Sequence, residues 1–437
     1  MLYNIENNKK QVAQLFAQTK AFKICDPVMV STSGNSLLAN ENTKQALIEY
    51  LLPHVDLLTP NIPEAEALLG IQFLSDKKDD PLYIKDLVNT LRALGPKAVL
   101  LKGGHNSHAL ANDYFLDNNN FVCLSSKRID TKSTHGTGCT LSAAIAAVMS
   151  LGYSLIDSIV IAKTYVNQGL RTAQIIGQGY GPIAHGRWPE NYTDLPILIP
   201  LSGTFNDIAN QHDHPKFPSC TEEEPLGVYP IVDNSSWLER LLPLGITTVQ
   251  LRIKAANHSA QEIEEEIIKS IKIAKRHSCR LFINDHWQLA IKHNAYGVHL
   301  GQEDLDTADI EKLLQSGMRL GISTHSHAEV ARAITYKPSY IAIGPIYDTT
   351  TKVMPWVSQG LENLKRWHRT LPYPLVAIAG IDIERLPGVI EAGANGVAVI
   401  RDILNDRNPE AKTKAWLKTY ASSSKIVPAS LQIHLLN

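Results

Sequence analysis

Eight short runs of apolar and β-branched residues recur through the second half of the chain, and segments with helical periodicity separate them. These runs are GVYPIVD (227–233), TTVQLRIK (247–254), RLFIND (280–285), GVHLGQED (297–304), RLGIST (319–324), YIAIGPI (340–346), PLVAIAG (374–380) and GVAVI (396–400). Strands buried on both faces of a parallel sheet have this continuous apolar character, and crossover helices cover them. Eight such units in about 190 residues predict an α/β fold of the TIM-barrel type.

Chain length and composition predict how the rest is organised. The 437 residues are 44% hydrophobic and 19% charged, which is typical of two to three globular domains. Residues 194–225 contain five prolines and follow neither the strand nor the helix period, so they are predicted to form a linker. We therefore predict an α/β domain over 1–193, a linker over 194–225 and the barrel over 226–437. His212 and His214 in the linker are interpreted as solvated, because a structural metal needs about four ligands.

The charge balance excludes several classes of partner. Forty-two basic and forty-three acidic residues give a net charge of −1, so the whole chain is not drawn to nucleic acid or to an anionic membrane. No apolar run approaches the roughly 18 residues of a membrane span, and no secretory signal is recognised at the start. The five cysteines are scattered and form no CxxC pair, which favours reduced thiols in a cytoplasmic protein. The oligomeric state is not predicted.

Polar residues follow the predicted barrel strands at the end where such barrels carry their chemistry. Asp285 and Asp304 follow neighbouring strands and are suited to Mg²⁺ that keeps several waters and a substrate phosphate. Arg252, Lys254 and Lys352 supply cations for a polyphosphate, and lysines with Mg²⁺ stabilise a departing pyrophosphate.

A second phosphate is predicted on the same rim. Gly380 and Arg401 follow the seventh and eighth strands, where barrels often bind phosphate. Each polar residue alone is explained as a cap or turn, but caps do not require two carboxylates, two lysines and two arginines together. The rim therefore predicts small-molecule partners: two phosphorylated substrates, one of which loses pyrophosphate.

Six motifs, in order, resemble thiamine phosphate synthase from about residue 227 to 403: QLRIK, FINDHWQLA, GVHLGQEDL, GISTH, IAIGPIYDTTTK and VAIAGI. The resemblance implies condensation of 4-amino-2-methyl-5-(diphosphooxymethyl)pyrimidine with 4-methyl-5-(2-phosphooxyethyl)thiazole, or its carboxylated precursor, to give thiamine phosphate and pyrophosphate. In this family pyrophosphate leaves first and the thiazole nitrogen captures the resulting pyrimidine methyl cation. No side-chain nucleophile or strong base is needed.

The resemblance also implies the roles of individual residues. It gives pyrimidine diphosphate binding to Gln250, Leu251, Arg252, Ile253, Lys254, Asn284, Ser323 and Lys352. It gives thiazole phosphate binding to Thr349, Thr350, Thr351, Gly380, Ile400 and Arg401. It assigns Mg²⁺ binding to Asp285 and Asp304, and it implies that Lys254 and Lys352 are catalytic. Ala379 replaces the first glycine of a Gly-Gly pair, which we expect to be a minor packing change, and Arg401 stands where many members have serine.

A second interpretation of the barrel stays open. It is a thiazole tautomerase-like enzyme, accompanied by a non-catalytic binding module in the N-terminal half. That activity has no use for the carboxylate pair, so Mg²⁺-independent turnover of the thiazole alone would favour it.

The N-terminal half also alternates between strand and helix patterns. Strands are predicted at FKICDPVM (22–29), DLLTPN (56–61) and KAVLLKGG (97–104), helices at 43–55 and 83–95, and a hairpin from DYFLD (113–117) and FVCLSSKRID (121–130). THGTGCTLSAAIAAVMSLG (134–152) begins with a glycine turn and continues as a helix, whose first N–H groups can bind an anion. It lacks the Gly-Lys-Ser/Thr of a Walker loop, and as a lone motif it is equally well an ordinary helix start.

Further motifs accompany that turn, namely DPVMVSTSG, LLTPNIPEAEALLG, VLLKGGH, RIDTKSTHGTGCTLSAAIAA and GQGYGPIAH. Together they resemble hydroxymethylpyrimidine/phosphomethylpyrimidine kinase, which has a ribokinase-like, doubly wound α/β fold and uses ATP. The resemblance implies that Asn61 and Glu64 organise Mg²⁺ and phosphate, Lys102 and Gly104 lie by the nucleotide, and Gly136 and Gly138 form the anion hole. Cys139 then stands where the wider group has its catalytic aspartate.

Two departures from the kinase pattern bear on activity. The family's opening glycine-rich segment, which holds the pyrimidine, has no counterpart before the matched region, and Thr32 replaces a lysine of the AKSG motif. We therefore expect a partial domain with an exposed sheet edge and weak or no kinase activity. Cys139 can act as a base only if the helix N-terminus lowers its pKa, and a small buried residue is the alternative interpretation.

Overall fold

The computed structural model describes residues 5–29, 41–74, 77, 80–103, 109–175, 177–201, 208–222, 224–348 and 358–424. The chain divides into two compact units, one of residues 1–189 and 193–213 and one of residues 190–192 and 214–437. Within the described ranges, no helix is both long and apolar enough to cross a membrane.

The N-terminal unit is built on a six-stranded sheet in which the strands lie in chain order. Its strands are β1 Ile24–Cys25, β2 Leu57–Leu58, β3 Ala98–Leu101, β4 Leu110–Leu116, β5 Phe121–Lys127 and β6 Ile197–Pro200. β1, β2 and β3 are parallel, whereas β3 to β6 pair antiparallel, and β4 and β5 form the predicted hairpin. Among the described residues β1 pairs only with β2, so it ends the sheet.

Within the described ranges, seven α-helices accompany this sheet. They are α1 Ile5–Gln18, α2 Glu41–Ala46, α3 Ile62–Leu69, α4 Pro81–Ala93, α5 Thr137–Ser150, α6 Leu155–Thr172 and α7 Ile208–His212. A π-helical turn, Leu47–Leu51, and a 3₁₀ turn, Leu52–His54, follow α2 within the segment predicted to be one helix. Pro53 lies in the second of these turns and cannot supply the N–H that a continuous α-helix needs.

The linker prediction over 194–225 is wrong for residues 197–200, which form β6 and pair with β5. Prolines at 196 and 200 hide this strand in the sequence, yet an edge strand tolerates proline because one side of its backbone needs no partner. In α7, His212 Nε2 lies 2.8 Å from Ser125 Oγ of β5, so this histidine packs on the sheet. The segment 214–225 belongs to the second unit.

The C-terminal unit is a closed barrel of eight parallel strands, as predicted. The strands are β7 Gly227–Val232, β8 Thr248–Leu251, β9 Arg280–Asn284, β10 Gly297–Leu300, β11 Arg319–Thr324, β12 Tyr340–Ile343, β13 Leu375–Ala377 and β14 Gly396–Val399. The helices are α8 Ser235–Leu241, α9 Ala260–Arg276, α10 Trp287–Lys292, α11 Ile310–Gln315, α12 His327–Ala333, α13 Gly360–Thr370, α14 Leu386–Glu391, α15 Arg401–Leu404 and α16 Pro409–Ser424.

Large aromatic side chains fill the middle of the barrel. Tyr229, Phe282 and Tyr340 are almost completely buried and belong to one apolar cluster. Gly321 makes room for them, since a Cβ at this position would lie 2.1 Å from Cζ of Tyr340 on the adjacent strand. This layer separates the two ends of the barrel and serves as the floor of the cavity described below.

The N-terminal mouth of the barrel is closed by the segment that precedes β7. Arg280, the first residue of β9, is buried and donates hydrogen bonds to the backbone oxygens of Cys220, Glu224 and Pro225 at 2.8–3.0 Å. A buried guanidinium with this many acceptors is well satisfied and holds the segment in place. The open end of the barrel is therefore the C-terminal one.

Candidate active site

A cavity of about 930 Å³ opens at the C-terminal ends of the barrel strands. Nine of the residues predicted from the sequence line it: Gln250, Arg252, Asn284, Asp285, Asp304, Ser323, Gly380, Ile400 and Arg401. The structure thus brings together residues that are spread over about 150 positions of the sequence, as the barrel fold requires. Thr349, Thr350, Thr351 and Lys352 lie outside the described residues.

Strand geometry decides which residues of the predicted run 250–254 face the cavity. Gln250 of β8 lines the cavity, and the next side chain, Leu251, points to the opposite face because side chains alternate along a strand. Leu251 and Ile253 are buried but do not line the cavity. Lys254 is exposed and starts the 3₁₀ turn Ala255–Asn257, so its side chain is also not part of the lining.

Asp285 and Asp304 face each other closely enough to raise the pKa of one of them. Burial against the cavity wall, followed by the negative charge of Asp304, raises the pKa of Asp285 to about 6, and Arg252 offsets part of that rise. Asp285 has a left-handed backbone with φ of 63° at the end of β9. Asp304 Oδ2 accepts the backbone N–H of Gly301 at 3.0 Å, which fixes this carboxylate beside the end of β10.

The two carboxylates fit the magnesium site predicted from the sequence. They supply oxygen ligands, and a bound divalent cation would neutralise the repulsion that raises the pKa of Asp285. No group of three or more His, Cys, Asp or Glu side chains within the described ranges is arranged to hold a metal ion. A cation at this pair would therefore complete its coordination with water and substrate oxygens, as Mg²⁺ commonly does.

A buried hydrogen-bonded chain lies beneath the cavity, and the sequence analysis missed its central residues. His299 Nε2 lies 2.7 Å from Ser323 Oγ, and His299 Nδ1 lies 2.7 Å from the Tyr340 hydroxyl. The Tyr340 hydroxyl is 2.9 Å from that of Tyr229. Burial, with the charge of Arg252 as the next cause, lowers the pKa of His299 to about 3, so its imidazole is neutral.

One signal for His299 is present in the sequence. His299 is a polar residue inside the otherwise apolar run GVHL, and it stands on the same strand face as Gly297. Other polar cavity residues that were not predicted are His325, Glu329, Asp348, Asp382 and Asp402. His325 Nδ1 and Glu329 Oε2 are 2.8 Å apart and form a hydrogen-bonded pair in the cavity lining.

The predicted phosphate end of the cavity has an unusual backbone. Gly380 has φ of 71°, and a Cβ there would lie 2.7 Å from the backbone oxygen of Tyr347. Ala379 has φ of 75°, a left-handed conformation that favours glycine. The replacement of glycine by Ala379 was expected to be a minor packing change, and this expectation is wrong, because the cost arises from backbone strain instead.

The N-terminal unit gathers a second charged cluster. Lys102 Nζ lies 2.7 Å from Asp26 Oδ1 and 3.9 Å from Glu64 Oε2. At the start of α5, a Cβ on Gly138 would lie 3.1 Å from that ammonium group, so glycine allows the helix to approach it closely. Gly136 has φ of 86° and provides the turn into α5. Gly104 and Thr32 lie outside the described residues.

Asn61 and Glu64 have a structural role that the resemblance did not indicate. The Asn61 side chain accepts the Glu64 N–H at 2.8 Å, and the Glu64 side chain accepts the Asn61 N–H at 2.7 Å. This reciprocal pair is a capping box at the start of α3. Burial raises the pKa of Glu64, while the bond from Asn61 and the charge of Lys102 oppose that rise.

Cys139 could act as a base only if the helix N-terminus lowered its pKa, and the structure does not meet this condition. Partial burial of the sulfur atom, followed by the charge of Asp26, raises the pKa of Cys139, although the residue as a whole is exposed. The helix N-terminus therefore does not produce a thiolate, because a carboxylate beside the sulfur disfavours the negative charge. Cys139 is also an exposed residue, so the alternative of a small buried residue is wrong as well.

Comparison with known proteins assigns a family to each half. Residues 228–403 match the family model described as thiamine monophosphate synthase, and residues 1–184 match phosphomethylpyrimidine kinase. A thiamine-phosphate synthase from Yersinia pseudotuberculosis is 55% identical over 190 residues, which are 43% of this chain and 86% of that relative.

Two solved structures are also similar. Thiamine phosphate pyrophosphorylase from Pyrococcus furiosus is 26% identical, with 45% of this chain and 96% of that one covered and a TM-score of 0.41. Pyridoxal kinase from Staphylococcus aureus with ADP is 26% identical, with 46% and 71% covered and a TM-score of 0.40. The extensive match to the Yersinia relative decides the assignment: this chain belongs to the thiamine-phosphate synthase family through its barrel, and its N-terminal half carries a phosphomethylpyrimidine kinase domain.

Proposed function

We propose that the barrel joins 4-amino-2-methyl-5-(diphosphooxymethyl)pyrimidine to 4-methyl-5-(2-phosphooxyethyl)thiazole, or its carboxylated precursor, and releases pyrophosphate. The observation that carries this proposal is the Asp285 and Asp304 pair, which shares one cavity with Arg252. Two adjacent carboxylates repel a diphosphate unless a divalent cation lies between them and the substrate. A site for diphosphate and Mg²⁺ together gives both carboxylates a role next to the guanidinium of Arg252.

The residues of the cavity divide between the charged and the neutral parts of the substrates. Arg252 balances the diphosphate and lies beside Asp285, while Asp285 and Asp304 would hold Mg²⁺. Bound Mg²⁺ would supply positive charge to the departing pyrophosphate. Gln250, Asn284 and Ser323 are neutral and would contact the pyrimidine ring. Lys254 and Lys352 are proposed to stabilise the leaving group, with Lys352 among the residues outside the described ranges.

The second substrate is assigned to the far wall of the same cavity. Gly380, Ile400 and Arg401 line that wall and would bind the thiazole phosphate, together with Thr349 to Thr351. Many family members have serine at the position of Arg401. The forked guanidinium of Arg401 is also suited to binding a phosphate, so this replacement is compatible with the proposed site. The bond between the pyrimidine methylene carbon and the diphosphate oxygen breaks first and releases pyrophosphate, and the thiazole nitrogen then bonds to the resulting pyrimidine methyl cation. No side-chain nucleophile is required.

The test is direct. Purified protein should release pyrophosphate and form thiamine phosphate when both substrates and Mg²⁺ are present. Omission of the thiazole phosphate should abolish thiamine phosphate formation, and a chelator should suppress both products. Absence of pyrophosphate under the complete conditions would refute the proposal. Conversion of the thiazole alone without Mg²⁺ would favour the tautomerase-like alternative.

For the N-terminal half we propose ATP-dependent phosphorylation of hydroxymethylpyrimidine or its phosphate, at a low rate. The supporting observation is the placement of Lys102 beside Gly138 at the start of α5, where phosphate oxygens would meet both an ammonium group and helix N–H groups. Asp26 and Glu64 already lie near that ammonium group, so a phosphate must compete with them. We expect weak nucleotide binding for this reason.

Three proteins test the kinase proposal. Wild type should transfer phosphate from radiolabelled ATP to hydroxymethylpyrimidine, and Lys102→Met should lose that transfer. Cys139→Ala should keep most of it, since the thiol is not ionised. No transfer by wild type would leave a non-catalytic binding module as the better interpretation of this unit, and its ATP affinity would then be measured by calorimetry.

A further inference from the structure

We propose that the buried ion pair between Asp113 and Lys163 fixes the backbone at Gly103, and thereby positions the ammonium group of Lys102 for a nucleotide phosphate. The inference rests on the proposed kinase function and deepens it. Asp113 and Lys163 act through the backbone of Gly103 rather than by contact with the nucleotide, which makes them positioning residues.

The two oxygens of the Asp113 carboxylate have different partners. Oδ2 lies 2.6 Å from the ammonium nitrogen of Lys163, and Oδ1 accepts the backbone N–H of Gly103 at 3.0 Å. Lys163 also donates to the backbone oxygen of Ala111 at 3.1 Å. A single carboxylate in β4 thus joins the helix α6 to the residue that directly follows Lys102.

Gly103 lies beyond the end of a strand pairing. β3 pairs with β4 as far as Leu101 and Tyr114, and Gly103 follows two residues after Leu101. A Cβ on Gly103 would lie 1.9 Å from the backbone oxygen of Asn112, so glycine is needed for the two segments to approach this closely. The side-chain carboxylate of Asp113, rather than a ladder carbonyl, accepts the Gly103 N–H.

Lys102 is held on the opposite side of the same segment. Its backbone N–H donates to the backbone oxygen of Pro60 at 2.8 Å, directly before the capping box that starts α3. The bonds to Pro60 and Asp113 therefore fix two successive N–H groups on two different elements. This fixes the direction in which the Lys102 side chain leaves the backbone, toward Gly138 at the start of α5.

The stability of the fold does not require an ion pair at this place. Asp113 is 7% exposed and Lys163 is 5% exposed, so both charges have lost most of their contact with water. That loss offsets much of their mutual attraction, and two apolar residues of similar size would stabilise the fold about equally well. Apolar residues, however, have no acceptor for the Gly103 N–H. The contribution of the ion pair is therefore the position of that N–H.

Two double variants separate the acceptor from the charges. Asp113→Asn/Lys163→Met removes both charges but keeps an amide oxygen for the Gly103 N–H, whereas Asp113→Leu/Lys163→Met removes the charges and the acceptor together. Replacement of both partners avoids leaving one charge buried alone. A melting curve checks that each protein folds. Should the leucine variant fail to fold, Asp113→Ala/Lys163→Met removes the same acceptor with a smaller side chain.

Hydrogen exchange of the Gly103 amide is the first readout. In Asp113→Leu/Lys163→Met this amide should exchange about 10-fold faster than in wild type, while the amides of β3 keep their wild-type rates. In Asp113→Asn/Lys163→Met all of these rates should stay near wild type. A merely structural role of the ion pair would instead speed the exchange of β3 as well, and to the same extent in both variants.

The affinity for ATP is the second readout. The dissociation constant for ATP with Mg²⁺, measured by calorimetry, should rise about 10-fold in Asp113→Leu/Lys163→Met, because the Lys102 ammonium group is no longer fixed. It should stay within about 2-fold of wild type in Asp113→Asn/Lys163→Met.

A second ion pair on α6 supplies the matched control. Asp194 is fully buried and lies 2.6 Å from Arg171, two turns after Lys163 on the same helix. Asp194→Leu/Arg171→Met therefore removes a comparable ion pair that does not bond to Gly103. It should leave both the exchange rate of the Gly103 amide and the affinity for ATP near their wild-type values.

The outcomes separate the inference from the function on which it rests. Equal affinity for ATP, or equal exchange of the Gly103 amide, in the asparagine and leucine variants of Asp113 would overturn the inference. An equal loss of affinity in Asp194→Leu/Arg171→Met would also overturn it, as would a wild type that binds no ATP. A wild type that binds ATP but transfers no phosphate would refute the kinase function alone, and the comparison of the two Asp113 variants would still decide the inference.

Discussion

The two halves of the chain each bring carboxylates together, but among the described residues only the N-terminal cluster has a lysine beside its carboxylates. In the N-terminal unit, Lys102 lies 2.7 Å from Asp26 and 3.9 Å from Glu64, so the cluster carries its own cation. At the barrel rim, Asp285 and Asp304 repel each other strongly enough to raise the pKa of Asp285, and Arg252 offsets only part of this effect. The rim is therefore the place where an external cation has most to contribute, and this difference can be tested in both halves.

The largest expected effect is on catalysis at the rim. Asp304→Asn removes one of the two charges proposed to hold Mg²⁺ and should lower the rate of pyrophosphate release by about 100-fold or more. Asp306→Asn is the control, because Asp306 lies in the same 3₁₀ turn, is 58% exposed and pairs with Arg332 at 2.6 Å. It should stay near the wild-type rate. Equal rates for the two variants would remove the carboxylate pair from the mechanism.

The next effect is on stability in the N-terminal unit. Lys102→Met leaves Asp26 and Glu64 without their cation and should lower the free energy of unfolding of this unit by about 3 kcal/mol. Urea unfolding, monitored through hydrogen exchange of the β3 amides, measures this decrease in the free energy of unfolding. Lys97→Met is the matched control, since Lys97 also lies 2.7 Å from an aspartate, Asp56, but is 77% exposed. Its loss should stay below about 1 kcal/mol. A similar loss in both variants would mean that the cluster is an ordinary surface pair.

The barrel and the carboxylate pair at its rim could be predicted from the sequence. Eight apolar runs gave the barrel, because strands buried on both faces leave a distinctive pattern. Asp285 and Asp304 could be placed together because parallel strands end at one rim.

The remainder depends on contacts that sequence does not show. β6 follows Pro196 and ends at Pro200, and only its pairing with β5 identifies it as an edge strand. The role of His299 depends on Tyr340, 41 residues away, which becomes its neighbour only when the barrel closes. For Cys139, the motif showed a helix start but neither the partial burial of the sulfur nor the carboxylate of Asp26 beside it, and these two effects, in that order, raise the pKa of the thiol.

The pH dependence of stability gives a smaller and more specific test of the rim. A carboxyl group with a raised folded pKa contributes stability below its unfolded pKa of 3.8, and that contribution is lost as the pH rises through about 6. In the absence of divalent ions, Asp285→Asn should therefore become more stable than wild type as the pH rises from 4 to 7. Because Asp285 is open to water in the cavity, screening reduces the difference to about 1 kcal/mol.

Magnesium provides the control for this effect. Mg²⁺ at pH 7 should raise the melting temperature of wild type and leave that of Asp285→Asn nearly unchanged, a readout independent of turnover. If Asp285→Asn gave no gain above pH 6, the two carboxylates would not repel each other as described. Asp306→Asn should show no such dependence on pH or on Mg²⁺.

The smallest effect concerns the backbone of the rim rather than its charge. Ala379 holds φ of 75°, whereas the described residues of the Asp26, Lys102 and Glu64 cluster have no positive φ. Ala379→Gly should relieve about 1 kcal/mol of strain but add freedom to the unfolded chain, for a net gain of about 0.5 kcal/mol. Ala342→Gly, in the buried strand β12, should instead lose stability, since it removes a packed methyl group without relieving strain. If Ala379→Gly is also less active while more stable, the strained turn contributes to positioning the phosphate wall, and the barrel rim differs from the N-terminal cluster in backbone as well as in charge.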